Sequence, residues 1–265
     1  MAKQYSKSPL PFLGQKRNWL KQIREIDFSG MTVVDLFGGS GIVSHTIKDK
    51  NPSARVIWND YDNFQARLEV IEQTEALRQE LQAIPHGKKV RTSEEIKERM
   101  LQIINRYDSI DWITLSSWLL FPANYAHDYD DLKGRSWYAS VPKSALTSEG
   151  YLEGVERRSA DFRELIKEFK GKENVIFIAD PPYVMTNQSG YVAKGEDHFK
   201  LKDSIELIIE LHTEKALFFS SPKSESDALF EVYQPQSIER IEFATSIVKN
   251  RIKEYMFLLN MEKPQ

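Results

Sequence analysis

The sequence predicts an α/β fold with a mostly parallel sheet and helices on both faces, and three observations support this. Residues 31–37 form an apolar strand that runs into the glycine-rich stretch 38–41 and then into a helix. A second strand, 54–58, follows that helix. The run 175–179, Val-Ile-Phe-Ile-Ala, is apolar at every position, which is typical of a strand buried on both faces of a parallel sheet.

The composition limits the classes of protein to consider. The chain has 265 residues, enough for one large or two small domains, with 41% hydrophobic and 28% charged residues. The absence of cysteine excludes disulfides and cysteine metal sites, and we expect no metal. No apolar run approaches the ~20 residues that span a bilayer, so we expect a cytoplasmic protein without a membrane partner. The net charge of -3 allows only a local basic groove for a polyanion.

The N-terminal segment carries a basic pair near a predicted helix start. Residues 8–17 form a proline-punctuated loop that leads into a short helix over about 18–26. Lys16 and Arg17 lie where the N–H groups and the positive dipole end of that helix favour an anion. A carboxylate-bearing ligand would fit there, and a solvated basic pair is the alternative interpretation.

The glycine-rich stretch after the first strand is a candidate ligand-binding loop. Glycines between a buried strand and a helix allow the backbone to approach a ligand closely. A dinucleotide fingerprint counted from Gly39 would need glycine or alanine at its sixth position, where this chain has Ser44. Asp60 follows the second strand about 20 residues after the loop, a position suited to ribose hydroxyls. The alternative for Asp60 is a turn-forming Asn-Asp pair.

From about residue 64 to residue 150 the chain leaves the strand–helix alternation. Apolar periodicity predicts a helix over 64–84 and a second helix from Ser93, as N-cap, to residue 107. The aromatic-rich stretch 111–151 indicates an insertion with a small core of its own, and most of its aromatic residues should lie in that core. The loop 131–143 combines tryptophan, arginine, lysine and glycine, which suits contact with a nucleic acid.

The alternation then resumes and completes the sheet. A short strand near Val155 precedes a helix with Ser159 as N-cap. Asp161 and Phe162 lie at this strand-to-helix junction, where they could hold an adenine by hydrogen bonding and stacking; a helix start with a buried phenylalanine is an equally good local interpretation. The remaining predicted elements are a loop over 184–201, a helix over 202–212, a strand over 216–220, and closing strands over 240–248 and 253–260.

The tetrapeptide Asp180-Pro181-Pro182-Tyr183 ends the buried strand 175–179. The prolines lack N–H groups and force a stiff, extended turn at the edge of the sheet where open α/β folds bind ligands. The Asp180 carboxylate and the Pro181 carbonyl offer two acceptors, and Tyr183 offers a flat ring beside them. These groups suit the exocyclic amine of a nucleobase. A strand-ending turn with a surface tyrosine is the alternative.

Taken in order, the motifs resemble those of a known family. Their order is similar to that of the amino-group DNA methyltransferases. The motifs are Phe12 with Lys16, the stretch Asp35-Leu-Phe-Gly-Gly-Ser-Gly41, Asp60, Asp161-Phe162 and the Asp-Pro-Pro-Tyr tetrapeptide. The chain is most similar to the adenine-N6 enzymes of the solitary bacterial and phage DNA adenine methylase type. The resemblance implies a Rossmann-like methyltransferase domain formed by residues 1–63 and 151–265, and a mostly helical target-recognition insertion over 64–150.

The resemblance also implies a cofactor, S-adenosylmethionine, and roles for individual residues. Phe12 and Lys16 would bind its methionine end, and Asp60 would bind its ribose. Asp161 and Phe162 would bind its adenine. The centre of the cofactor would contact the loop that contains Asp35, Phe37, Gly39, Ser40 and Gly41. Asp180 would bridge cofactor and target base in a catalytic set with Pro181, Pro182 and Tyr183. Basic and aromatic residues of the insertion would contact DNA: Lys88, Lys89, Arg91, Lys133, Arg135, Trp137 and Lys143.

The implied activity is transfer of a methyl group to N6 of an adenine flipped out of duplex DNA. Such an enzyme would be bacterial or phage-encoded and monomeric, and the resemblance is compatible with a cognate restriction endonuclease as partner. An N4-cytosine or RNA-adenine methyltransferase would bind its exocyclic amine with the same Asp180 carboxylate, Pro181 carbonyl and Tyr183 ring. A catalytically silent DNA-binding relative is a further alternative, whereas Ser44 disfavours a dinucleotide-dependent oxidoreductase.

Overall fold

The computed structural model describes residues 5–87, 90–182, 199–222, 226–247 and 250–261. A 3-10 turn, Arg17–Trp19, precedes the first helix. The helices are α1 (Leu20–Glu25), α2 (Ile42–Lys50), α3 (Phe64–Glu69), α4 (Ile71–Gln82), α5 (Glu94–Ile104), α6 (Trp112–Leu119), α7 (Tyr129–Gly134), α8 (Phe162–Phe169), α9 (Leu201–Leu211) and α10 (Ser226–Val232). The strands are β1 (Thr32–Asp35), β2 (Arg55–Asn59), β3 (Glu156–Arg158), β4 (Val175–Ala179), β5 (Ala216–Ser220), β6 (Ile238–Ile247) and β7 (Asn250–Leu259). Among the described residues, every helix is too short or too polar to cross a membrane.

The strands form one sheet in the order β3-β2-β1-β4-β5-β7-β6. The first five strands are parallel, and β7 runs antiparallel between β5 and β6. Asp35, the last residue of β1, lies opposite Trp58 of β2 and Ile178 of β4, so these strands end at nearly the same level. The predicted α/β, Rossmann-like sheet is confirmed.

Both faces of the sheet are covered. Val175, Phe177 and Ala179 point to the face that packs with the apolar residues of α8 and α9. Side chains alternate along a strand, so Ile176 and Ile178 point to the opposite face, and both are buried as well. This double burial explains why the strand is apolar at every position.

The chain divides into two compact units. One contains Ser8–Phe12 and Asn63–Tyr151; the other contains residues 5–7, Leu13–Asp62 and Leu152–Gln265. The first unit holds the segment predicted as an insertion and has its own apolar core, which includes Leu77, Met100, Leu115 and Trp137. The second unit holds the whole sheet.

Two local predictions were wrong. The single helix expected over 64–84 is interrupted at Val70, whose φ of -100° and ψ of 11° leave the helical region, although the apolar positions remain in phase across the break. Ser159 was expected to cap α8, but Asp161 is the N-cap and its side chain accepts a hydrogen bond from the Arg163 N–H. Serine and aspartate compete for such positions, and their preference alone does not decide between them.

A buried ion pair anchors the insertion unit. The guanidinium of Arg67 donates to both carboxylate oxygens of Asp111, at 2.8 and 3.0 Å, and to the Pro11 carbonyl at 2.8 Å. The Asp111 side chain, only 3% exposed, also accepts from the Thr114 N–H and so caps α6. One carboxylate therefore fixes a helix start and neutralises a buried cation.

We predict that Asp111→Ala lowers the free energy of unfolding by about 3–5 kcal/mol, because it leaves the Arg67 cation buried without its anion. The matched control is Asp131→Ala, which removes the more exposed i,i+4 pair with Arg135 and should change the stability little, because solvent screens that pair. Urea denaturation of both variants measures the difference. Equal losses for the two variants would contradict the assigned importance of the buried pair.

Candidate active site

The candidate site lies at the carboxyl ends of β1, β2 and β4. After β1 the chain adds β2 on one side, and β4 occupies the other side of β1, so the strand order reverses between β1 and β4. Open α/β sheets bind ligands at such a switch point. The Leu36 N–H donates to the Ile178 carbonyl at 2.9 Å and holds the two strand ends together. Asp35 and Asp180, predicted from separate motifs, consequently belong to neighbouring strand ends.

Lys16 and Asp180 form an ion pair at this edge, with 2.6 Å between Nζ and Oδ2. The lysine side chain is 7% exposed and the aspartate side chain 21%. Lys16 also donates to the Gly14 carbonyl, and its ammonium lies 5.7 Å from the centroid of the Phe219 ring. Burial raises the pKa of Asp180 above its ordinary value, whereas Lys16 opposes that rise. The lysine thus favours the ionised, accepting form of Asp180.

Asp35 is a second buried carboxylate beside this pair. It is 2% exposed, and its Oδ2 accepts a hydrogen bond from the Ser44 hydroxyl at 2.6 Å. The pKa of Asp35 is raised to about 7, chiefly by burial; the Ser44 hydrogen bond and Lys16 oppose this rise, and the nearby Asp180 charge contributes to it. Ser44, which disfavoured a dinucleotide fingerprint, therefore serves as a partner of Asp35.

The glycine loop requires glycine for two separate reasons. A Cβ built on Gly38 would lie 2.1 Å from Cδ1 of Trp58, so the loop backbone passes directly against the indole. Gly41, the N-cap of α2, has a φ of 76°, a left-handed conformation that side chains rarely adopt. The prediction placed Gly38 in this loop but assigned roles only to Gly39, Ser40 and Gly41, because only the fold brings Trp58 to Gly38.

Asn59 is a further residue that the sequence reasoning missed. Its side chain is 2% exposed, and its amide nitrogen donates to the carbonyls of Leu36 and Ala160 at 2.9 and 3.0 Å. Its amide oxygen accepts from the Ala160 N–H at 3.0 Å. Asn59 therefore ties the end of β1 to the segment that leads into α8. Its place in an Asn-Asp pair after a strand was the available signal, but that pair was considered only as a turn-forming alternative for Asp60.

Asp60 follows Asn59 and is fully buried. Its Oδ2 accepts a hydrogen bond from Nε of Arg157 at 2.8 Å, and the Arg157 side chain is 43% exposed. The predicted ribose-binding carboxylate therefore already has a cationic partner at the end of β3. Any hydroxyl that donates a hydrogen bond to Asp60 must share the carboxylate with this arginine.

Aromatic rings gather at the start of α8. The ring centroids of Phe37 and Phe162 are 5.3 Å apart with an interplanar angle of 35°. Phe199, just before α9, contacts Phe37 edge-on at 5.6 Å and Phe162 at 6.0 Å. The carboxylate of Asp161 lies next to this cluster in sequence and is 43% exposed. The Asp161 carboxylate is thus accessible, whereas the Phe162 ring is only 6% exposed and packs within the aromatic cluster.

The remaining predicted residues are distributed over both units. Phe12 lies in the insertion unit, with its ring edge-on to Phe64 at 5.7 Å. Arg91, Lys133 and Lys143 are exposed, whereas the guanidinium of Arg135 is held by Asp131. Trp137 is corrected: it is 1% exposed and its indole N–H donates to the Leu132 carbonyl, so it belongs to the core and offers no stacking surface. Tyr183, Lys88 and Lys89 lie outside the described residues.

The residues at the strand ends fit S-adenosylmethionine in their chemistry. The indole N–H of Trp58 is buried beside Gly38 and has no hydrogen-bond partner among the described residues. The glycine backbone leaves space that a side chain would fill, Lys16 carries a cation beside Asp180, and Asp161 offers an exposed acceptor next to the buried Phe162 ring. Over the described ranges, no group of three or more histidine or acidic side chains is placed to hold a metal ion.

We predict that Gly38→Ala destabilises the protein by about 1–3 kcal/mol, because the added methyl group overlaps the Trp58 indole. Gly134→Ala is the control, since a Cβ at that position meets no heavy atom within 4 Å. Urea midpoints should fall for Gly38→Ala alone. A Gly38→Ala variant as stable as the control would show that the loop can move away from the indole.

The raised pKa of Asp35 leads to a prediction on pH. The folded chain keeps the Asp35 proton up to about pH 7, whereas the unfolded chain releases it near the ordinary value of 3.8. The resulting stability is fully present below about pH 4 and is lost as the pH rises to about 7. Asp35→Asn removes this loss, so its stability relative to the wild type should increase over that range by at most about 1.4 kcal/mol per pH unit. A difference that stays constant with pH, measured by urea denaturation, would contradict the shift.

Comparison with known proteins agrees with this geometry. Residues 12–108 match the family model described as "D12 class N6 adenine-specific DNA methyltransferase". A Haemophilus influenzae protein named "Putative methyltransferase" is 39% identical over 235 residues, which cover 84% of this chain and 78% of the relative. The chain, with its mostly parallel sheet and its motifs at the strand ends, belongs to the D12 class of N6 adenine-specific DNA methyltransferases.

Proposed function

We propose that this protein transfers the methyl group of S-adenosylmethionine to N6 of an adenine that is flipped out of duplex DNA. The observation that carries the proposal is the ion pair between Lys16 and Asp180 at the end of β4. It favours the ionised form of the Asp180 carboxylate next to the Pro181 carbonyl at the ligand-binding edge of the sheet. Membership in the family supports DNA adenine methylation in general, and the site residues and the duplex substrate are part of the proposal.

Asp180 and Pro181 act on the amine of the target base. The lone pair of an exocyclic amine is delocalised into the purine ring, which makes the nitrogen a weak nucleophile. Hydrogen bonds from its two N–H groups to the Asp180 carboxylate and the Pro181 carbonyl favour a tetrahedral nitrogen and localise the lone pair. Pro181 and Pro182 cannot donate, so the turn presents acceptors to the amine. Tyr183 is proposed to stack on the flipped base.

Preorganisation is the main contribution of the protein. S-adenosylmethionine, when bound, supplies a methyl group that is already activated by the sulfonium charge. Lys16 favours the ionised form of Asp180 and holds this residue in place before the base arrives, and the stiff proline turn fixes the second acceptor. Fixed dipoles and charges in a water-poor site need little reorganisation during the reaction, which lowers the barrier.

The cofactor contacts follow the positions of the strand ends. Lys16 and Phe12 are proposed for the methionine end, and the loop from Asp35 to Gly41 for the centre. Asp60 is proposed for the ribose, shared with Arg157, and Asp161 with Phe162 for the adenine. Gly38 and Asn59 support these residues through the glycine loop and the segment before α8.

The insertion, residues 64–150, is proposed as the target-recognition region. Arg91, Lys133 and Lys143 are exposed cations suited to phosphate contacts, which give affinity and little sequence information. Arg135 would have to release Asp131 to contact DNA fully. Lys88 and Lys89 remain in the proposal from sequence alone.

The test is methyl transfer from labelled S-adenosylmethionine to unmethylated duplex DNA, with the modified nucleoside identified by mass. We predict N6-methyladenine with the wild type and at least a 10²- to 10³-fold lower rate with Asp180→Ala, which removes the main acceptor. The matched control is Asp49→Ala, which deletes a surface carboxylate paired with Arg24 and should leave the rate unchanged.

Other outcomes distinguish the alternatives. Recovery of N4-methylcytosine, or transfer to adenine in RNA only, would assign the same amine-binding residues to another substrate. Binding of S-adenosylmethionine without any transfer would indicate a silent DNA-binding relative. An Asp180→Ala variant as active as Asp49→Ala would refute the role given to Asp180.

A further inference from the structure

Arg163, the second residue of α8, contacts both residues proposed to bind the cofactor's adenine. Its guanidinium carbon lies 4.4 Å from the centroid of the Phe162 ring. Its Nη1 lies 3.3 and 3.1 Å from the two carboxylate oxygens of Asp161, and its backbone N–H donates to Oδ1 of Asp161 at 2.8 Å. One residue therefore constrains both the acceptor and the ring.

The same guanidinium is held from a second helix. Two acidic residues in the first half of α9, Asp203 and Glu206, form ion pairs with it, the Glu206 pair at 2.7 Å. The Arg163 side chain is 42% exposed, so no single pair adds much stability. Three carboxylates around a planar fork nevertheless fix its orientation more tightly than one partner would.

This arrangement has a consequence for the Asp161 carboxylate. The backbone hydrogen bond and the guanidinium hold it from the α8 side, and a carboxylate is an acceptor without a proton to donate. Such a group accepts a hydrogen bond from the 6-amino group of adenine. It repels the 6-oxo group of hypoxanthine, which presents another oxygen lone pair at the same position.

We propose that Arg163 is a positioning residue that gives the site its selectivity for a 6-amino over a 6-oxo purine in the cofactor. Arg163 acts through Asp161 and Phe162 and has no contact with the reacting atoms. The inference rests on the proposed function, in which these two residues bind the cofactor's adenine. A site built to hydrogen-bond a polar group discriminates strongly against an analogue that lacks it.

The measurement compares the affinities of S-adenosylhomocysteine and S-inosylhomocysteine by calorimetry. The wild type should bind the adenosyl compound more tightly by at least about tenfold, the range expected for a hydrogen bond to a charged group. In Arg163→Met this ratio should fall toward one. Arg163→Lys, which keeps the charge but loses the planar fork, should also lose most of the ratio.

Lys170→Met is the matched control. Lys170 pairs with Glu210 at 2.8 Å and links the far end of α8 to α9, with an exposure similar to that of Arg163. This variant should keep the wild-type ratio even if it loses some stability. If Arg163 only stabilised the fold, replacing it would weaken the binding of both ligands equally. An unchanged affinity ratio in folded Arg163→Met or Arg163→Lys therefore overturns the inference.

The design separates this inference from the proposed function. If the wild type binds neither compound, the cofactor assignment itself fails. If the wild type binds both compounds equally, Asp161 does not read the amino group and the inference fails, although methyl transfer can still be tested. Asp161→Ala gives the reference value for a site without a hydrogen-bonding side chain, and Arg163→Met should approach that value.

Discussion

Two carboxylates at adjacent ends of parallel strands impose the main constraint on this molecule. Asp35 and Asp180 lie where β1 and β4 end side by side, in a region with little access to water. Neighbouring buried carboxylates cannot both ionise without compensation. The chain supplies Lys16 to Asp180 and the Ser44 hydroxyl to Asp35, so the two groups differ: Lys16 opposes the rise in the pKa of Asp180, and Asp35 retains its proton to about pH 7.

The residues around the two carboxylates hold the ends of β1 and β4 side by side. Asn59 connects the end of β1 to the segment before α8 through three hydrogen bonds, and Trp58 sets how closely the glycine loop approaches. Neither residue carries chemistry of its own. Both lie at the end of β2, between β1 and β3, which is the position from which one side chain can reach two neighbouring strand ends. Both polar atoms of the buried Asn59 amide have hydrogen-bond partners, and these bonds fix a single geometry.

The sequence allowed prediction of the strands, the order of the motifs and the residues nearest to the proposed chemistry, because each depends on a local pattern. The five apolar residues before Asp180 and the glycines after β1 are signals of this kind. Asn59, Arg157 and Arg163 were missed, and Gly38 was given no role, because their importance comes from partners far away in sequence, such as Trp58 against Gly38. The burial of Trp137 was missed because tryptophan among basic residues suits a core and a nucleic-acid surface equally well. The break at Val70 was hidden because the periodicity continues across it.

Burial explains why the two ends of the proposed cofactor site use different cations. Lys16 is nearly inaccessible and pairs with Asp180, and a compact ammonium can neutralise one oxygen of Asp180 and leave the other oxygen free to accept. Arg163 is exposed, so solvent screens each of its ion pairs and none of them alone can fix a geometry. Three carboxylate partners together fix the position of the planar guanidinium, as burial fixes that of the Lys16 ammonium. Lys16, at the buried end, therefore acts on the charge of Asp180. Arg163, at the exposed end, acts on the orientation of Asp161.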